Sequence, residues 1–337
     1  MKNKTITQES KYGLMIDGLS CSVLSREQME RTRAGRVTGL NYSIVKPWSD
    51  FVTAMSEIGR ALRCIDQMKD IVSIALTAED ILKAQAEGRV AIVFCGQNST
   101  LIEHDLNLLE VLHRLGFRVL HPTYNEKNRL GGGATVAEDE GLTELGRQWV
   151  HEMNRLGMVI DMSHCGYRTS ADAIRESKDP VIFSHANALA LCENPRNKPD
   201  ELIRAIAEKG GVMGAVCFTP FIKRETRPKI GDYLDQVEYI ANLAGIEHVC
   251  FASDWAEGMY TLEEWNRTFG PKGKYPSVTG GLGDWYTFEG RSLEGYESLA
   301  QTPRIWDGLL ARGFSEDQVE KIMGKNLLRV FREVWKK

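Results

Sequence analysis

The sequence predicts an α/β protein with a (β/α)8 TIM barrel, in which eight parallel strands close into a cylinder surrounded by helices. Short apolar runs recur along the chain, and most are followed by segments with the three- and four-residue apolar spacing of amphipathic helices. Such alternation forms right-handed βαβ units around a parallel sheet. An open doubly wound sheet is the main competitor, but Gly-Leu-Ser-Cys-Ser at residues 18–22 lacks the glycine-rich phosphate turn of that fold.

The strands are predicted from eight apolar runs. Parallel strands that are buried on both faces have continuous apolar sequences, and Val-Ala-Ile-Val-Phe-Cys-Gly at residues 90–96 is typical. The eight predicted strands, in order, are Leu14–Asp17, Gly39–Ile44, Val90–Cys95, Arg118–His121, Val159–Met162, Val181–Ser184, Val212–Cys217 and Val249–Ala252.

Helices are predicted between most of these strands and at the end of the chain. The first helical segment is short and charged, and its pattern is the least regular. The predicted helices are Ser25–Ala34, Asp50–Met68, Leu101–Leu115, Thr143–Leu156, Arg168–Ser177, Glu201–Lys209, Tyr233–Ala244, Arg304–Arg312 and Glu316–Trp335.

One long connection interrupts this alternation. Residues 257–299 follow the eighth strand and are rich in glycine and aromatic residues. Long connections of this kind in barrels are commonly lids or disordered segments. We expect one domain over residues 1–337, with residues 257–299 as a loop insertion over the active-site mouth.

Composition excludes several classes of protein. A net charge of −4 gives no basic surface for nucleic acid. No apolar run is long enough to span a membrane, and the polar first residues lack the apolar region of a secretory signal. The seven scattered cysteines favour reduced thiols in the cytoplasm. These features predict a small-molecule substrate, and they leave open whether the chain forms a homo-oligomer.

Polar residues gather where the predicted strands end, which is where barrel enzymes place their chemistry. His164 and His185 end consecutive strands, and adjacent strands lie about 4.8 Å apart, so both rings can reach one ion. A lone histidine after a strand is more often a satisfied core residue, but two at equivalent positions favour metal ligands, and neutral imidazole suits zinc. The other residues at these ends are Asp17, Cys21, Asn41, Gln97, Asn98, Tyr124, Asn125, Phe218, Thr219 and Asp254.

Asp254, Arg196 and His121 lie at or after strand ends and have different predicted roles. Asp254 ends the last strand and is suited to accept a proton from metal-activated water, although an N-cap or a structural carboxylate would also fit. Arg196 follows the sixth strand and could bind a substrate carboxylate with two hydrogen bonds. His121 is interpreted as a strand-end residue that faces the barrel, with no chemical role assigned.

Together these segments resemble the membrane (renal) dipeptidase family of metallo-hydrolases. The resemblance is carried by residues 139–164 (DEGLTELGRQWVHEMNRLGMVIDMSH), residues 180–188 (PVIFSHANA), the arginine eleven positions after His185, residues 249–255 (VCFASDW) and residues 326–331 (NLLRVF). It covers most of the chain and is strongest between about Val90 and Ile222. It implies an amidohydrolase-like barrel with His164 and His185 as metal ligands, Arg196 as the substrate-binding arginine and Asp254 as the catalytic acid.

The chain departs from the pattern of that family at three places. The resemblance implies two zinc ions, a His-x-Asp pair after the first strand and a bridging glutamate, but these positions hold Leu19-Ser20-Cys21 and Gln97. Leucine cannot bind a metal, and a site bridged by neutral glutamine would leave two cations with too little compensating charge. A substrate-contacting histidine of the family falls at Tyr124.

The prediction is therefore a mononuclear site with one divalent ion, zinc by preference, on His164 and His185. Candidates for a further ligand are Asp254, Gln97 and the thiolates of Cys21 and Cys95, although a buried inert thiol is the more common role for Cys21. Tyr124, Asn125 and Arg196 are predicted to orient a small carboxylated substrate, amide or dipeptide-like.

Two other functions remain open from the sequence. One is a catalytically inactive or ligand-binding barrel that has lost its dinuclear centre. The other is metal-free acid–base chemistry with Tyr124, Asp254 and a histidine.

Overall fold

The computed structural model describes residues 11–335 and shows a barrel of parallel strands. The N-terminal segment used above in the argument on secretory signals lies mostly outside the described residues. All eight predicted strands form, with ends that differ from the prediction by a few residues. Within residues 11–335 the strands are β1 Ile16–Ser20, β2 Gly39–Val45, β3 Val72–Ile74, β4 Val90–Gly96, β5 Phe117–Leu120, β6 Val159–Ile160, β7 Ile182–Phe183, β8 Val212–Val216 and β9 Val249–Ala252.

The (β/α)8 barrel predicted from the sequence is confirmed, and backbone hydrogen bonds close it. The strand order is β1-β2-β4-β5-β6 in one sheet and β7-β8-β9 in another, and every pairing is parallel. The Met162 amide donates to Ile182 O at 2.8 Å and joins β6 to β7. The amide of Cys21 donates to Trp255 O at 2.9 Å, which joins β1 to the end of β9.

The segment between β2 and β4 contains a strand and a helix that the sequence analysis missed. Strand β3 runs parallel to β4, with Val72 opposite Val90. It is only three residues long and two of the three are partly exposed, so it lacks the long apolar run by which the other strands were identified. The missed helix begins after Thr77, whose side chain forms a capping box with Asp80.

The predicted helices surround the strands. The charged first helix also forms, because the Ser25 hydroxyl accepts from the Gln28 amide and caps its first turn. Within the described chain the α-helices are α1 Arg26–Ala34, α2 Phe51–Asp66, α3 Ala78–Ala86, α4 Asn107–Arg114, α5 Glu144–Leu156, α6 Tyr167–Glu176, α7 Asp200–Glu208, α8 Ile230–Ala244, α9 Leu262–Thr268, α10 Pro276–Thr279, α11 Pro303–Ala311, α12 Glu316–Glu320 and α13 Asn326–Val334. No helix among these residues is long and apolar enough to cross a membrane.

The predicted last helix, Glu316–Trp335, is interrupted by a π-helical turn at Lys321–Lys325. Gly324 lies against the chain before β1, where an added Cβ would come within 2.7 Å of Leu14 O. After this turn, Asn326 Nδ2 donates to Val249 O at 2.9 Å, so α13 begins at the amino-terminal end of β9. Helix α13 therefore covers the end of the barrel opposite the carboxyl ends of the strands.

The connection after β9 is folded rather than irregular. It contains α9 and α10, and Glu257 holds its two ends together. The Glu257 carboxylate accepts from Ser298 Oγ at 3.0 Å, from Gln28 Nε2 at 3.0 Å and from Arg31 at 3.2 Å. These contacts tie the start and the end of the connection to α1.

We predict that Phe331→Ala destabilises the protein strongly. Phe331 is fully buried in the apolar interior, and its ring stacks on Trp335 with centroids 4.2 Å apart. Removing a buried phenyl ring leaves a cavity and costs about 3–5 kcal/mol of the free energy of unfolding. Urea unfolding measures this loss, and Val111→Ala on the exposed face of α4 is the control. Equal stabilities for the two variants would contradict the assigned packing of α13.

Candidate functional site

A pocket opens at the carboxyl ends of the strands. It encloses about 850 Å³, including its mouth. Its floor is made by side chains that follow the strands, as the sequence predicts for a barrel. The predicted site residues that line it are Cys21, Gln97, Tyr124, Asn125, His164, Arg196 and Asp254.

His164 lines this pocket, and His185 contacts His164 from beneath, outside the pocket lining. Their Nε2 atoms are 2.9 Å apart, and both residues are buried. Burial and the positive charge of Arg196 lower the pKa of both imidazoles well below the usual range. Both rings are therefore neutral near pH 7, which is the form that binds a metal ion.

Two amides fix the orientation of the His164 ring. Nδ1 of His164 lies 2.8 Å from Asn125 Oδ1, so Nδ1 carries the proton and Nε2 carries the lone pair. Gln97 Nε2 donates to Ser43 Oγ at 3.0 Å and to Cys21 Sγ at 3.1 Å. That orientation directs Gln97 Oε1 at His164 Nε2, at 2.9 Å.

This arrangement fits a bound cation. Gln97 Oε1 is an acceptor, and it faces the Nε2 lone pair of a neutral His164 with no proton between them. The second imidazole, of His185, approaches the same atom. Two imidazole nitrogens and an amide oxygen that converge in this way are suited to hold a positive charge between them, and nitrogen-rich sets of this kind suit zinc.

Asp254 lies at the end of β9 with its backbone in the left-handed region, at a φ of 46°. A non-glycine residue with positive φ is strained, and such strain clusters at functional sites. The amide of Asp254 donates to Leu19 O at 2.9 Å, and Asp17 accepts from the neighbouring Ser253 amide at 2.7 Å. Burial raises the pKa of Asp254 to about 7, although Arg196 and a hydrogen bond from Cys21 oppose the rise.

The thiol of Cys21 lies between Gln97 and Asp254. Its Sγ is 3.8 Å from Asp254 Oδ1, and burial together with the nearby carboxylate raises its pKa well above the usual value. Cys95 lies in the apolar interior, and burial raises its pKa as well. In the metal-free protein both are neutral thiols. Leu19, for which the resemblance implied a histidine, is fully buried in the same interior.

Arg196 is a buried cation that faces the pocket. Its Nε donates to Ser163 O at 3.2 Å, and its guanidinium lies over the Phe221 ring at 5.0 Å. None of the ion pairs within residues 11–335 involves Arg196. An arginine buried without a carboxylate partner is costly, so the site favours an anionic ligand.

Aromatic rings form the rest of the wall. Tyr124 stacks on His164 with centroids 4.0 Å apart, and Tyr260 and Trp265 from the long connection also line the pocket. Trp285 of the same connection does not line the pocket. Its Nε1 instead donates to Arg224 O at 3.1 Å.

The sequence analysis missed one pair of polar residues beneath the floor. His121 and Asp161 are fully buried, with His121 Nε2 2.8 Å from Asp161 Oδ2. Burial alone would raise the pKa of Asp161, but His121 and His185 hold it below its usual range. The alternation of side chains along a strand could have revealed the pair. His121 lies two positions after Val119, and Asp161 lies two positions after Val159. Residues two apart share a face of the strand, so both side chains are expected on the face of these interior valines.

Comparisons with known proteins agree with this architecture. A family model described as membrane dipeptidase (Peptidase family M19) matches residues 18–282 and 277–336. Dipeptidase tcpJ of Claviceps purpurea (strain 20.1) is 29% identical over 81% of this chain, which spans 57% of the length of tcpJ. Dipeptidase verJ of Clonostachys rogersoniana is 27% identical over 95% of this chain and 79% of its own length.

Solved structures give the same result for the fold. An amidohydrolase from Pseudomonas aeruginosa is 33% identical, with a TM-score of 0.88 over 96% of this chain and 97% of its own. A metallopeptidase from Rhodobacter sphaeroides, solved with a phosphinate mimic of the dipeptide L-Ala-D-Ala, is 20% identical. Its TM-score is 0.77 over 96% of this chain and 99% of its own.

We predict that Asp254 makes the stability of the metal-free protein depend on pH. Its pKa rises from 3.8 to about 7 on folding, so between pH 4 and 7 the folded state retains a proton that the unfolded state releases. Stability therefore falls as the pH rises through this window. Asp254→Asn lacks this titration, so its free energy of unfolding should not fall in this way. The difference between the variant and the native chain should therefore grow by up to about 1.4 kcal/mol for each pH unit within the window. Urea unfolding at pH 5, 6 and 7 measures the difference, and a constant difference would contradict the prediction.

Proposed function

The chain belongs to the membrane dipeptidase family, Peptidase family M19, and on that premise we propose that it is a mononuclear metal-dependent hydrolase of small carboxylated substrates. The substrates are amide or dipeptide-like, and zinc is the proposed ion. The observation that carries the proposal is the approach of His164 Nε2 and His185 Nε2 to 2.9 Å, with Gln97 Oε1 also directed at His164.

A single ion is proposed because the residues for a second are missing. Leu19 is fully buried among apolar side chains and offers no ligand atom. Gln97 brings no charge to offset the repulsion between two divalent cations. Cys21 is a candidate further ligand, but it would first have to lose a proton from a thiol whose pKa is raised.

The proposed chemistry is the hydrolysis of an amide bond. A divalent ion held by His164 and His185 would polarise the scissile carbonyl and supply a nucleophile from water at neutral pH. Asp254 accepts the proton of the attacking water and returns it to the departing amine. Its pKa of about 7 suits both directions of transfer.

Substrate orientation is assigned to the cationic and aromatic walls. The guanidinium of Arg196 binds the substrate carboxylate, and Tyr124 and Asn125 contact the remainder near the floor. We also propose that the chain is a single barrel domain. Residues 257–299 are proposed to cover the mouth of its active site. Tyr260 and Trp265 of that segment face the pocket and support this assignment.

We propose the cytoplasm as the site of action and small molecules rather than nucleic acid as partners. The seven cysteines are all free thiols, which suits a reducing compartment. The net charge of −4 supports the exclusion of nucleic acid. A homo-oligomer is compatible with these features.

We predict that metal content and hydrolysis depend together on His164. The purified protein should contain one equivalent of a divalent metal and hydrolyse members of a dipeptide panel. His164→Ala should lose both, because one of two imidazole ligands is removed. His113→Ala on α4 is the control and should retain both. A fully folded native protein with less than about half an equivalent of any transition metal would overturn the proposal.

We predict that Arg196 recognises a substrate carboxylate. Arg196→Met should lower kcat/KM for a free dipeptide by at least about 30-fold, mainly through KM, because a buried charge pair is lost. The same change should affect a dipeptide with an amidated carboxyl end far less. Arg196→Lys should recover only part of the loss, because lysine keeps the charge without the paired donors. Equal losses on both substrates would exclude this role.

A further inference from the structure

Arg291 of the long connection is a second cation in the wall of the pocket. Its guanidinium carbon lies 3.7 Å from the centroid of the Phe288 ring and 5.8 Å from that of the Trp255 ring. Burial lowers the pKa of this guanidinium, which nevertheless stays protonated near pH 7. Arg291 therefore presents a positive charge to the pocket from a half-buried position against two aromatic rings.

The charge of Arg291 has no partner within residues 11–335. None of the ion pairs or side-chain hydrogen bonds there involves its guanidinium. Glu289 is the acidic neighbour whose charge acts on it, but Glu289 is exposed and lies beyond ion-pair distance. Asp254 is the one carboxylate among the described residues that line the pocket, and it faces Arg196, whose charge opposes the rise in the pKa of Asp254. The positive charge of Arg291 is thus available to an anionic group of a ligand.

Arg291 and Arg196 flank the same short segment of the wall, the turn Thr219–Phe221 that follows β8. Thr219 Oγ1 donates to Arg291 O at 2.8 Å. At the other end of the turn, the Arg196 guanidinium lies 5.0 Å from the Phe221 ring centroid. The part of a substrate nearest to Arg291 is therefore the residue whose carboxylate binds Arg196.

We propose that Arg291 determines specificity by binding a second acidic group, on the side chain of the carboxyl-terminal residue of the substrate. The preferred substrates are then dipeptide-like amides that end in an acidic amino acid. This inference rests on the proposed function, because the first carboxylate is the one assigned to Arg196. A guanidinium held against aromatic rings keeps its planar donors directed along the plane, where a carboxylate can accept from two of them.

Binding to the metal-loaded native protein tests this inference. The probes are analogues of alanyl-glutamate and alanyl-glutamine in which a methyleneamine group replaces the amide, so that neither is hydrolysed. The glutamate analogue should bind about 10-fold more tightly, because a half-buried pair of opposite charges forms with it alone. Arg291→Met should abolish this difference, and Arg291→Lys should retain part of it.

Arg267→Met is the matched control. Arg267 lies in the same connection but is exposed and does not line the pocket, so this variant should show the native difference between the two analogues. Circular dichroism establishes that each variant is folded, and titration calorimetry gives the dissociation constants. An undiminished difference in folded Arg291→Met would overturn the inference.

The native protein alone also decides the question. Equal dissociation constants for the two analogues, or no binding of either, would overturn the inference. A preference confined to the reversed analogues, those of glutamyl-alanine and glutaminyl-alanine, would overturn it as well. Hydrolysis of the parent dipeptides reports separately on the proposed function. A folded, metal-loaded protein that hydrolyses no dipeptide would overturn that function, whereas the ratio of dissociation constants reports on Arg291.

Discussion

The 2.9 Å approach of two neutral imidazoles, His164 and His185, is the contact on which the site depends. It exists because β6 and β7 are neighbours in a closed parallel barrel and the two residues follow them at equivalent positions. Burial keeps both rings uncharged, and Asn125 sets the tautomer of His164. The fold thereby directs a lone pair of His164 toward His185 and Gln97, although the first strand supplies no histidine ligand.

The charges around this contact are unevenly distributed. Arg196 and Lys198 are both buried, and burial together with Arg196 lowers the pKa of Lys198 to about 7. Neither cation takes part in an ion pair within the described residues. Burial keeps the histidines neutral, the potential of these cations adds to that effect, and the same potential favours an anionic ligand in the pocket. Asp254 is the one carboxylate among the described residues that line the pocket, and it can hold or release a proton near neutral pH because it is buried.

Much of this could be predicted from the sequence. The eight strands and the proximity of His164 to His185 followed from continuous apolar runs, which identify parallel strands well. Strand β3 was missed because three residues carry too little pattern. His121 and Asp161 were missed as a pair because they are far apart in the sequence. The sequence does not indicate which residues of neighbouring strands lie in the same layer of the barrel interior. The exact direction of Gln97 depends on partners from other strands, which no local pattern encodes.

The anchoring of the long connection by Glu257 has a consequence for how this protein could change over time. Since Glu257 joins Ser298 and α1, the forty or so residues between these points begin and end at fixed positions on the scaffold. The entropy of closing such a loop varies only slowly with its length. Insertions, deletions and substitutions in this segment could change substrate preference while the histidines that follow β6 and β7 stay the same. Because the free energy of loop closure changes little with length, such variants would lose little stability.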